Sequence, residues 1–187
     1  MEIVYASSNN GKVEEIKRLA GLMSISIVAL SEISESCIVI PEVAESYEGN
    51  ARAKAQAHTA SIGRPCLADD SGIEITGMGG LPGVYTSRFG LNRVMELIKN
   101  PSPASFVCCM CYVEPQGRCV SVTQKISGVF SVRGKCPDPE HPLPYSHFFY
   151  PKNSALPLSE LIAMEPLASH RAKALRTLLI SLGVYQG

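Results

Sequence analysis

The chain has 187 residues, and its 17 basic and 17 acidic side chains give a formal net charge of zero at pH 7. Such a length suits one domain with its own core. A charged fraction of 18%, with near-average contents of glycine and proline, excludes a disordered, collagen-like or coiled-coil protein. The zero net charge disfavours a nucleic acid polymer or an anionic membrane as the main partner, and no apolar run is long enough to span a bilayer.

The first part of the chain predicts strands that alternate with helices. Residues 2–6 form a strand candidate, followed by a polar turn and an amphipathic helix whose apolar residues share one face. That face consists of Val13, Ile16, Leu19, Ala20 and Met23. Further strands are predicted over residues 26–30 and 37–40, and an alanine-rich helix over residues 50–62, which Gly63 closes.

The middle of the chain begins with a buried strand. Residues 66–68 are expected to carry Asp69, Asp70 and Ser71 at the carboxyl end of this strand. A glycine-rich turn follows, and apolar residues at helical spacing near Val94 then predict a short helix. Polar residues at a strand end are well placed for a site, because ligands of α/β sheets bind at such ends.

The last third of the chain predicts a hairpin, a loop and a helix. Residues 106–113 and 119–126 are apolar strands around a turn. Four prolines make residues 134–144 an irregular loop, an aromatic strand follows over residues 145–150, and the final helix begins near Ser169, a favourable N-cap. Alternation in the first half and a hairpin in the second predict an α/β domain with a mixed sheet.

Seven cysteines lie mostly inside apolar runs, and no C-x-x-C pair occurs. This pattern predicts small buried thiols and not a disulfide framework. A zinc site from Cys136, His141 and His147 is an alternative, although their spacing fits no standard structural site. The start of the chain carries Glu2 and lacks the basic end and long apolar run of a signal peptide, so we expect a cytoplasmic protein.

Residues 3–18 read as a strand, a polar turn and a helix, an arrangement that can bind an anion. The candidate residues are consecutive: Ser7, Ser8, Asn9, Asn10, Gly11 and Lys12. Lys12 in the first helical turn disfavours the helix unless an anion binds there, where free N–H groups and the positive end of the helix dipole meet. The Walker A pattern is absent, and a solvated turn before a helix explains these residues equally well.

Two further motifs carry charge at predicted element ends. The adjacent carboxylates of Asp69 and Asp70 repel unless water or a cation separates them, and Mg²⁺ prefers such oxygen ligands. A plain Asx turn is the alternative. His170 and Arg171 open the last helix, where a guanidinium and a helix N-terminus can bind a second anion, or where a solvated basic face can lie. Together the three features predict a metal–polyphosphate site for a small anionic substrate.

Five motifs follow one another along the chain. They read S-S-N-N-G-K, P-E-x(5)-E-G-N-A-x-x-K-A, A-D-D-S-G-I-E-I, G-G-L-P-G-V-Y-T-S-R-F and S-H-R-A-K-A-L. From Ile3 to about Leu179 the chain thereby resembles the inosine triphosphate pyrophosphatase family, the Ham1-like non-canonical purine NTP pyrophosphatases. The resemblance implies an elongated, two-lobed α/β domain over residues 1–187, with a central mixed sheet, a substrate cleft between the lobes and commonly a homodimer.

The family hydrolyses nucleoside triphosphates to the monophosphate and pyrophosphate with Mg²⁺. By resemblance, Glu42 and Asp70, with Asp69 beside it, are the metal-binding carboxylates, and Asp70 also activates water. Lys12 would act in catalysis by stabilising charge on the transferred phosphate. The implied substrate-binding residues are Ser7, Ser8, Asn9, Asn10, Gly11, Lys12, Ser71, Tyr145, Ser146, His170 and Arg171.

The base-recognition segment departs from the family. Where the family usually reads F-G-Y-D-P-I-F-Y-P, residues 143–151 read L-P-Y-S-H-F-F-Y-P. Leu143 replaces the stacking Phe, Ser146 replaces the Asp that reads the base, and Glu165 replaces a substrate-binding Lys. The leading hypothesis is a Mg²⁺-dependent pyrophosphatase for non-canonical purine nucleotides. The alternatives are the same chemistry on a different or modified nucleotide, and a nucleotide-binding homologue with weak activity.

Overall fold

The computed structural model describes residues 2–33, 38–133 and 141–186, and its centre is a six-stranded mixed sheet. In chain order the strands are β1 (Glu2–Tyr5), β2 (Ser26–Ala29), β3 (Cys66–Ile75), β4 (Ser102–Val113), β5 (Cys119–Phe130) and β6 (Phe149–Pro151). Their order across the sheet is β2-β1-β3-β4-β5-β6. β1 runs parallel to β2 and β3, whereas β4, β5 and β6 each pair antiparallel with the strand before them. The predicted mixed α/β sheet is confirmed.

Seven α-helices occur within the described part of the chain: α1 (Asn10–Leu22), α2 (Leu30–Ile33), α3 (Tyr47–Ile62), α4 (Thr86–Phe89), α5 (Leu91–Leu97), α6 (Leu158–Met164) and α7 (His170–Leu182). Among them, none combines the length and apolarity needed to cross a membrane. The side chains of Asn9 and Ser169 accept hydrogen bonds from the backbone N–H groups of Lys12 and Ala172, which caps the starts of α1 and α7. Gly63 ends α3 with a φ of 65°, a left-handed conformation that glycine adopts without strain.

Helices cover both faces of the sheet, and alternate residues of β4 face the two layers. Cys108 and Met110 pack with α1 and α7, while Cys109 and Cys111 pack with α3. A third apolar cluster, around Phe106 and the far ends of β3 and β5, packs with α5 and α6. Because β4 is buried on both sides, its sequence is an almost continuous apolar run and not an alternating one.

The structure confirms the first strand, the helices α1 and α3, the hairpin of β4 and β5, and the final helix α7. The strand predicted over residues 66–68, however, is too short. β3 pairs with β4 along its whole length and continues to Ile75. The prediction that Asp69 and Asp70 lie at the carboxyl end of this strand is therefore wrong, because both are in mid-strand.

Two further predictions differ from the structure or fall outside it. The described part of the strand predicted over residues 37–40 has no regular structure. Pro144–His147 forms a 3₁₀ turn, so the aromatic strand begins only at Phe149. Proline favours this turn because its ring fixes φ in the helical range. Residues 134–140, which include Cys136 of the alternative zinc site, lie outside the described residues.

Candidate active site

A large cleft, about 740 Å³ in volume, opens beyond the carboxyl end of β1. The motifs singled out in the sequence all reach it. The predicted residues on its walls are Ser7, Ser8, Asn9, Lys12, Glu42, Asp70, Ser71, Tyr145, Ser146, His170 and Arg171. Three others do not line it, since Asn10 is exposed while Gly11 and Asp69 are buried behind the wall. A cleft of this size suits a small-molecule ligand.

The polar turn before α1 is in direct contact with Pro142, the residue that precedes the base-recognition segment. Asn9 Nδ2 donates a hydrogen bond to the backbone oxygen of Pro142 at 3.3 Å. A Cβ atom added to Gly11 would lie 2.8 Å from Pro142 Cγ, closer than real Cβ contacts allow. Position 11 therefore requires glycine, because the loop packs directly on the backbone there.

Asp69 lies at the centre of a buried hydrogen-bond network. The Tyr5 hydroxyl donates to Oδ1 of Asp69. Oδ2 accepts hydrogen bonds from Lys12 Nζ at 3.0 Å, Ser71 Oγ at 3.1 Å and Arg171 Nε at 3.4 Å. Burial by itself would raise the pKa of Asp69, but the charges of Lys12 and Arg171 outweigh it and hold that pKa well below its usual range. Asp69 is therefore an ionised carboxylate that draws two cations together.

The guanidinium of Arg171 is buried at the start of α7 and has several partners. Its Nη1 donates to Glu15, its Nη2 donates to Ser71 Oγ at 2.9 Å, and its Nε faces Asp69. Ser169 Oγ donates to the same Glu15 carboxylate at 2.7 Å. Burial would lower the pKa of Arg171, but Glu15 and Asp69 raise it well above the usual value. A fixed positive charge is thereby kept in the wall of the cleft.

A second network surrounds Asp70 on the opposite face of β3. Asn50 Nδ2 of α3 donates to Asp70 Oδ2 at 2.9 Å. The ammonium of Lys54, one helical turn further on, lies 2.7 Å from Glu42 Oε1 and 3.9 Å from Asp70 Oδ1. Burial, the largest effect, raises the pKa of Asp70. One cation is thus shared by two of the carboxylates that the resemblance assigns to metal.

The residues around Lys54 fit a hard divalent cation. Its ammonium already lies between two carboxylates, so the electrostatic environment favours positive charge there. Mg²⁺ commonly uses one or two carboxylates and takes its other ligands from water and substrate phosphates. Among the described residues, no group of three or more His, Cys, Asp or Glu side chains could hold a metal ion. A metal at Glu42 and Asp70 would therefore take its remaining ligands from water and a phosphorylated substrate.

The sequence interpretation misses four residues of these networks: Tyr5, Glu15, Asn50 and Lys54. The motif E-G-N-A-x-x-K-A contains the last two, and their i, i+4 spacing places them on one face of α3. Asn50 also bonds to both backbone groups of Ala44, which holds the segment of Glu42 against α3. Tyr5 and Glu15 carry no comparable signal, since their partners are distant in sequence.

The end of the cleft formed by residues 142–146 offers few free polar groups. The Tyr145 hydroxyl donates to the backbone oxygen of Thr86 at 3.4 Å. Ser146 Oγ donates to the backbone oxygen of Leu143 at 2.7 Å. Both side chains are therefore hydrogen-bonded within the protein, in a segment that the resemblance assigns to base recognition.

His170 is a further polar side chain that lines the cleft. It is buried and stacks on Phe106, with 4.8 Å between the ring centroids. Neither ring nitrogen has a hydrogen-bond partner among the described residues. Burial, the largest effect, lowers its pKa well below the usual value, so the ring is neutral, with one nitrogen that can donate a hydrogen bond and one that can accept. Glu165 is exposed and does not line the cleft.

The fold and the site together define a class of protein. Its members have an α/β fold with a mixed sheet, and their cleft is lined by basic side chains and by a pair of carboxylates. This arrangement is typical of proteins that bind phosphorylated small molecules. The model of the Ham1 family matches residues 3–180, and the chain belongs to that family. The family predicted from the five motifs is confirmed.

Relatives and solved structures match along nearly the whole chain. A dITP/XTP pyrophosphatase of Deinococcus radiodurans is 33% identical over 198 residues, which cover 97% of this chain and 92% of the relative. The dITP/XTP pyrophosphatase of Thermus thermophilus is 31% identical over 192 residues, covering 96% and 90%. The structure of a HAM1 protein from Coxiella burnetii matches with a TM-score of 0.80 and 27% identity, with 98% of each chain covered. These likenesses confirm the ITPase-like fold.

Proposed function

We propose that this protein is a Mg²⁺-dependent nucleoside triphosphate pyrophosphatase that converts non-canonical purine nucleoside triphosphates to monophosphates and pyrophosphate. Relatives that are dITP/XTP pyrophosphatases support this reaction. The observation that carries the proposal is the pair of carboxylates that share the Lys54 ammonium in the cleft that Lys12 and Arg171 also line. The carboxylates suit a divalent cation, and the two cations suit phosphate oxygens.

In this proposal the triphosphate lies along the polar turn before α1. Backbone N–H groups and the positive end of the helix dipole favour phosphate there, and Lys12 and Arg171 add two fixed charges. The residues proposed to contact the substrate are those that line the cleft: Ser7, Ser8, Asn9, Lys12, Ser71, Tyr145, Ser146, His170 and Arg171. Contacts of Asn10 and Gly11 with the substrate stay predictions from the resemblance, because neither residue lines the cleft. His170 lines the cleft, and neither of its buried ring nitrogens has a hydrogen-bond partner among the described residues, which supports a contact with the substrate.

Hydrolysis adds water to the α-phosphorus and breaks its bond to the oxygen of the leaving pyrophosphate. Asp70 would take the proton of the water. Its Oδ2 accepts from Asn50 and its Oδ1 accepts from the backbone N–H of Ser71 at 3.1 Å, so each oxygen keeps a further lone pair, and a raised pKa suits a base. Bound Mg²⁺, held by Glu42 and Asp70, would neutralise phosphate charge and lower the pKa of a coordinated water. Lys12 would stabilise the charge that develops on the phosphate oxygens.

The resemblance also makes Asp69 a metal ligand, and that assignment stays a prediction. Its contacts favour a different role, because both of its oxygens already accept hydrogen bonds from protein side chains. A carboxylate with this many donors is better suited to hold Lys12 and Arg171 in place than to exchange them for a metal.

A substrate screen tests the proposal. The purified protein is incubated with Mg²⁺ and with ITP, dITP, XTP or each common triphosphate, and products are separated by ion-exchange chromatography. We expect monophosphate and pyrophosphate in equal amounts, and no turnover when a chelator removes the metal. Full turnover in chelator, or a nucleoside diphosphate with orthophosphate as products, would contradict the proposed reaction.

The same chemistry on a different or modified nucleotide is a second candidate function. The observation that favours it is the internal hydrogen bonding of Tyr145 and Ser146, which leaves little polar surface to read a purine edge. The screen separates the two candidates when it includes dUTP, because a site that lacks base-edge contacts discriminates weakly.

We also propose a single domain with the cleft between two lobes, a homodimer and a cytoplasmic location. The continuous sheet supports the single domain, and the family resemblance supports the dimer. All five described cysteines are free thiols, which persist in a reducing compartment. Light scattering tests the dimer, with an expected mass twice that of the chain, and a monomer at assay concentrations would contradict it.

A further inference from the structure

The two oxygens of Asp69 are held very differently. Four side chains, those of Lys12, Ser71, Arg171 and, at 3.8 Å, Cys108, hydrogen-bond to Oδ2. Among the described residues, the hydroxyl of Tyr5 is the single donor on Oδ1. Tyr5 is the last residue of β1, is 1% exposed, and is separated from the polar turn by Ala6 alone.

We propose that Tyr5 is a positioning residue that fixes the Asp69 carboxylate and thereby aligns Lys12 and Arg171 for phosphate binding. A carboxylate can rotate about its Cβ–Cγ bond, and this rotation would carry Oδ2 away from all of its donors. The Tyr5 hydroxyl opposes the rotation by anchoring the other oxygen. This inference rests on the proposed function only for the roles of Lys12 and Arg171.

A purely structural role for Tyr5 is the competing explanation, since its ring packs in the cluster formed by the sheet with α1 and α7. Tyr112 provides a matched control. It is buried in the same cluster, and its hydroxyl also donates to a carboxylate, Glu114 Oε1, at 3.1 Å. Glu114 follows β4 in the hairpin turn and does not line the cleft. Tyr5→Phe and Tyr112→Phe therefore both remove a buried hydroxyl, but only Tyr5 contacts the Asp69 network.

The two variants are compared by steady-state kinetics with the preferred triphosphate and by thermal unfolding. We expect Tyr5→Phe to raise KM by about tenfold with a smaller change in kcat, because a partner that orients a binding group commonly contributes that much. Tyr112→Phe should leave KM within about twofold of the wild-type value, even if its unfolding midpoint falls by as much as that of Tyr5→Phe. Equal KM values in both variants, or a fall in kcat alone, would overturn the positioning role.

A double-mutant cycle with Asp69→Asn tests whether Tyr5 acts through Asp69. The double variant should bind the substrate no more weakly than Asp69→Asn alone, because the carboxylate that Tyr5 anchors is already replaced in the single variant. Independent, additive losses would reject the coupling. All measurements are made well below the unfolding midpoints, so that a less stable variant is still assayed as folded protein.

Calorimetric titration with inorganic pyrophosphate separates this inference from the proposed function. If the wild type hydrolyses no triphosphate but binds pyrophosphate, the proposed reaction fails, and a roughly tenfold weaker affinity in Tyr5→Phe still supports the positioning role. Equal pyrophosphate affinities in wild type and Tyr5→Phe contradict it. If the wild type neither binds nor hydrolyses, both proposals fail, since no anion is left for these cations to hold.

An independent observation concerns two thiols on neighbouring strands. Cys111 Sγ of β4 lies 3.6 Å from Cys119 Sγ, the first residue of β5. In the register of the hairpin Cys111 is opposite Ser121 and Cys119 is opposite Val113, so the thiols are diagonal neighbours on one face. Cys111 is buried, whereas Cys119 is exposed. A small oxidant can therefore reach one thiol, and the second thiol is already in place.

We infer that Cys111 and Cys119 form a reversible dithiol–disulfide site. With a small disulfide such as oxidised glutathione, the Cys119 thiolate attacks one sulfur and displaces the first glutathione thiolate. Burial raises the pKa of the Cys111 thiol, so this thiol loses its proton to water as it attacks the Cys119 sulfur and displaces the second glutathione thiolate. The two cysteines lose two electrons and two protons, and one glutathione disulfide becomes two glutathione thiols.

Alkylation and peptide mass spectrometry test this site in the native protein treated with oxidised glutathione. We expect one bond that links Cys111 to Cys119, its loss on reduction, and its absence in Cys119→Ser. Cys66→Ser, which removes a buried thiol elsewhere, should leave the bond intact. A stable mixed disulfide at Cys119, a bond to another cysteine, or no reaction would overturn the inference.

Discussion

We expect the substitution Asp70→Asn to abolish most turnover while leaving the fold at least as stable as before. Asp70 is 3% exposed and its pKa is raised, so its ionised form is less favourable in the folded than in the unfolded chain. Asn keeps the size of the side chain, and its amide oxygen can still accept the hydrogen bond from Asn50. If Asp70 is the general base, turnover should fall by about 10²–10⁴-fold.

The difference in stability between Asp70→Asn and wild type depends on pH, and the direction of the pKa change of Asp70 sets the sign of this dependence. A carboxyl whose pKa is raised on folding contributes stability below its ordinary value of 3.8 and loses that contribution as the pH rises through the folded value. Asn is uncharged at every pH. The stability of Asp70→Asn relative to wild type should therefore increase as the pH rises from below 3.8 to neutral.

The neighbouring residue, Asp69, provides a matched control, because its substitution should change stability in the opposite direction. The pKa of Asp69 is lowered, so its contribution is present above 3.8 and is lost as the pH falls through the folded value. Asp69→Asn leaves the buried charges of Lys12 and Arg171 without this partner. Breaking a buried ion pair in this way costs about 3–5 kcal/mol, and the loss should be largest at neutral pH and shrink in acid.

Urea unfolding at several pH values and pyrophosphate release at neutral pH measure both effects. The two aspartates are adjacent, so a general intolerance of substitution in β3 would affect them alike. If Asp70→Asn is destabilised as much as Asp69→Asn at neutral pH, or if it turns over substrate at the wild-type rate, the assignment of opposite roles is refuted.

Gly72→Ala should cost at least about 1–3 kcal/mol in chemical denaturation, because its Cβ would lie 2.2 Å from the backbone oxygen of Gly83. Gly21→Ala, whose Cβ meets nothing within 4 Å, should be neutral or stabilising, and the opposite ranking would contradict the packing argument. Leu143 and Ser146 should reduce the preference for ITP and XTP over ATP below about a hundredfold in kcat/KM, equivalent to about 2.7 kcal/mol, whereas a larger ratio would show that the segment still reads the base. Hydrolysis in ¹⁸O-water should label the monophosphate, and label in orthophosphate would place the attack elsewhere.

The elements that could be predicted from the sequence are those with a strong local pattern. The spacing of the apolar residues and the capping side chain of Asn9 are sufficient to predict α1. β3 is different, because its two aspartates read as the end of a strand. Partners from α1, α3 and α7 satisfy these carboxylates, so polar residues that look like a boundary lie in a buried mid-strand position.

The candidate site shows the same limit. The resemblance to the family assigns Lys12, Asp70 and Arg171 to substrate or metal, and all three line the cleft. It cannot separate the environments of Asp69 and Asp70, since strand alternation sends them to opposite faces and only the packed helices decide which partners each meets. Tyr5 was equally hidden, because a tyrosine in an apolar strand is indistinguishable from an ordinary core residue until its hydroxyl has a partner.

The close packing of Pro142 on Gly11 has a consequence for redesigning this protein. The surface that would recognise the base rests on the backbone that would carry the phosphates, so the two halves of a bound nucleotide share one support. Enlarging the base end by altering residues 142–146 would then disturb the platform under the triphosphate as well. Variants selected for a new base should consequently differ in their affinity for pyrophosphate, a fragment that contains no base at all.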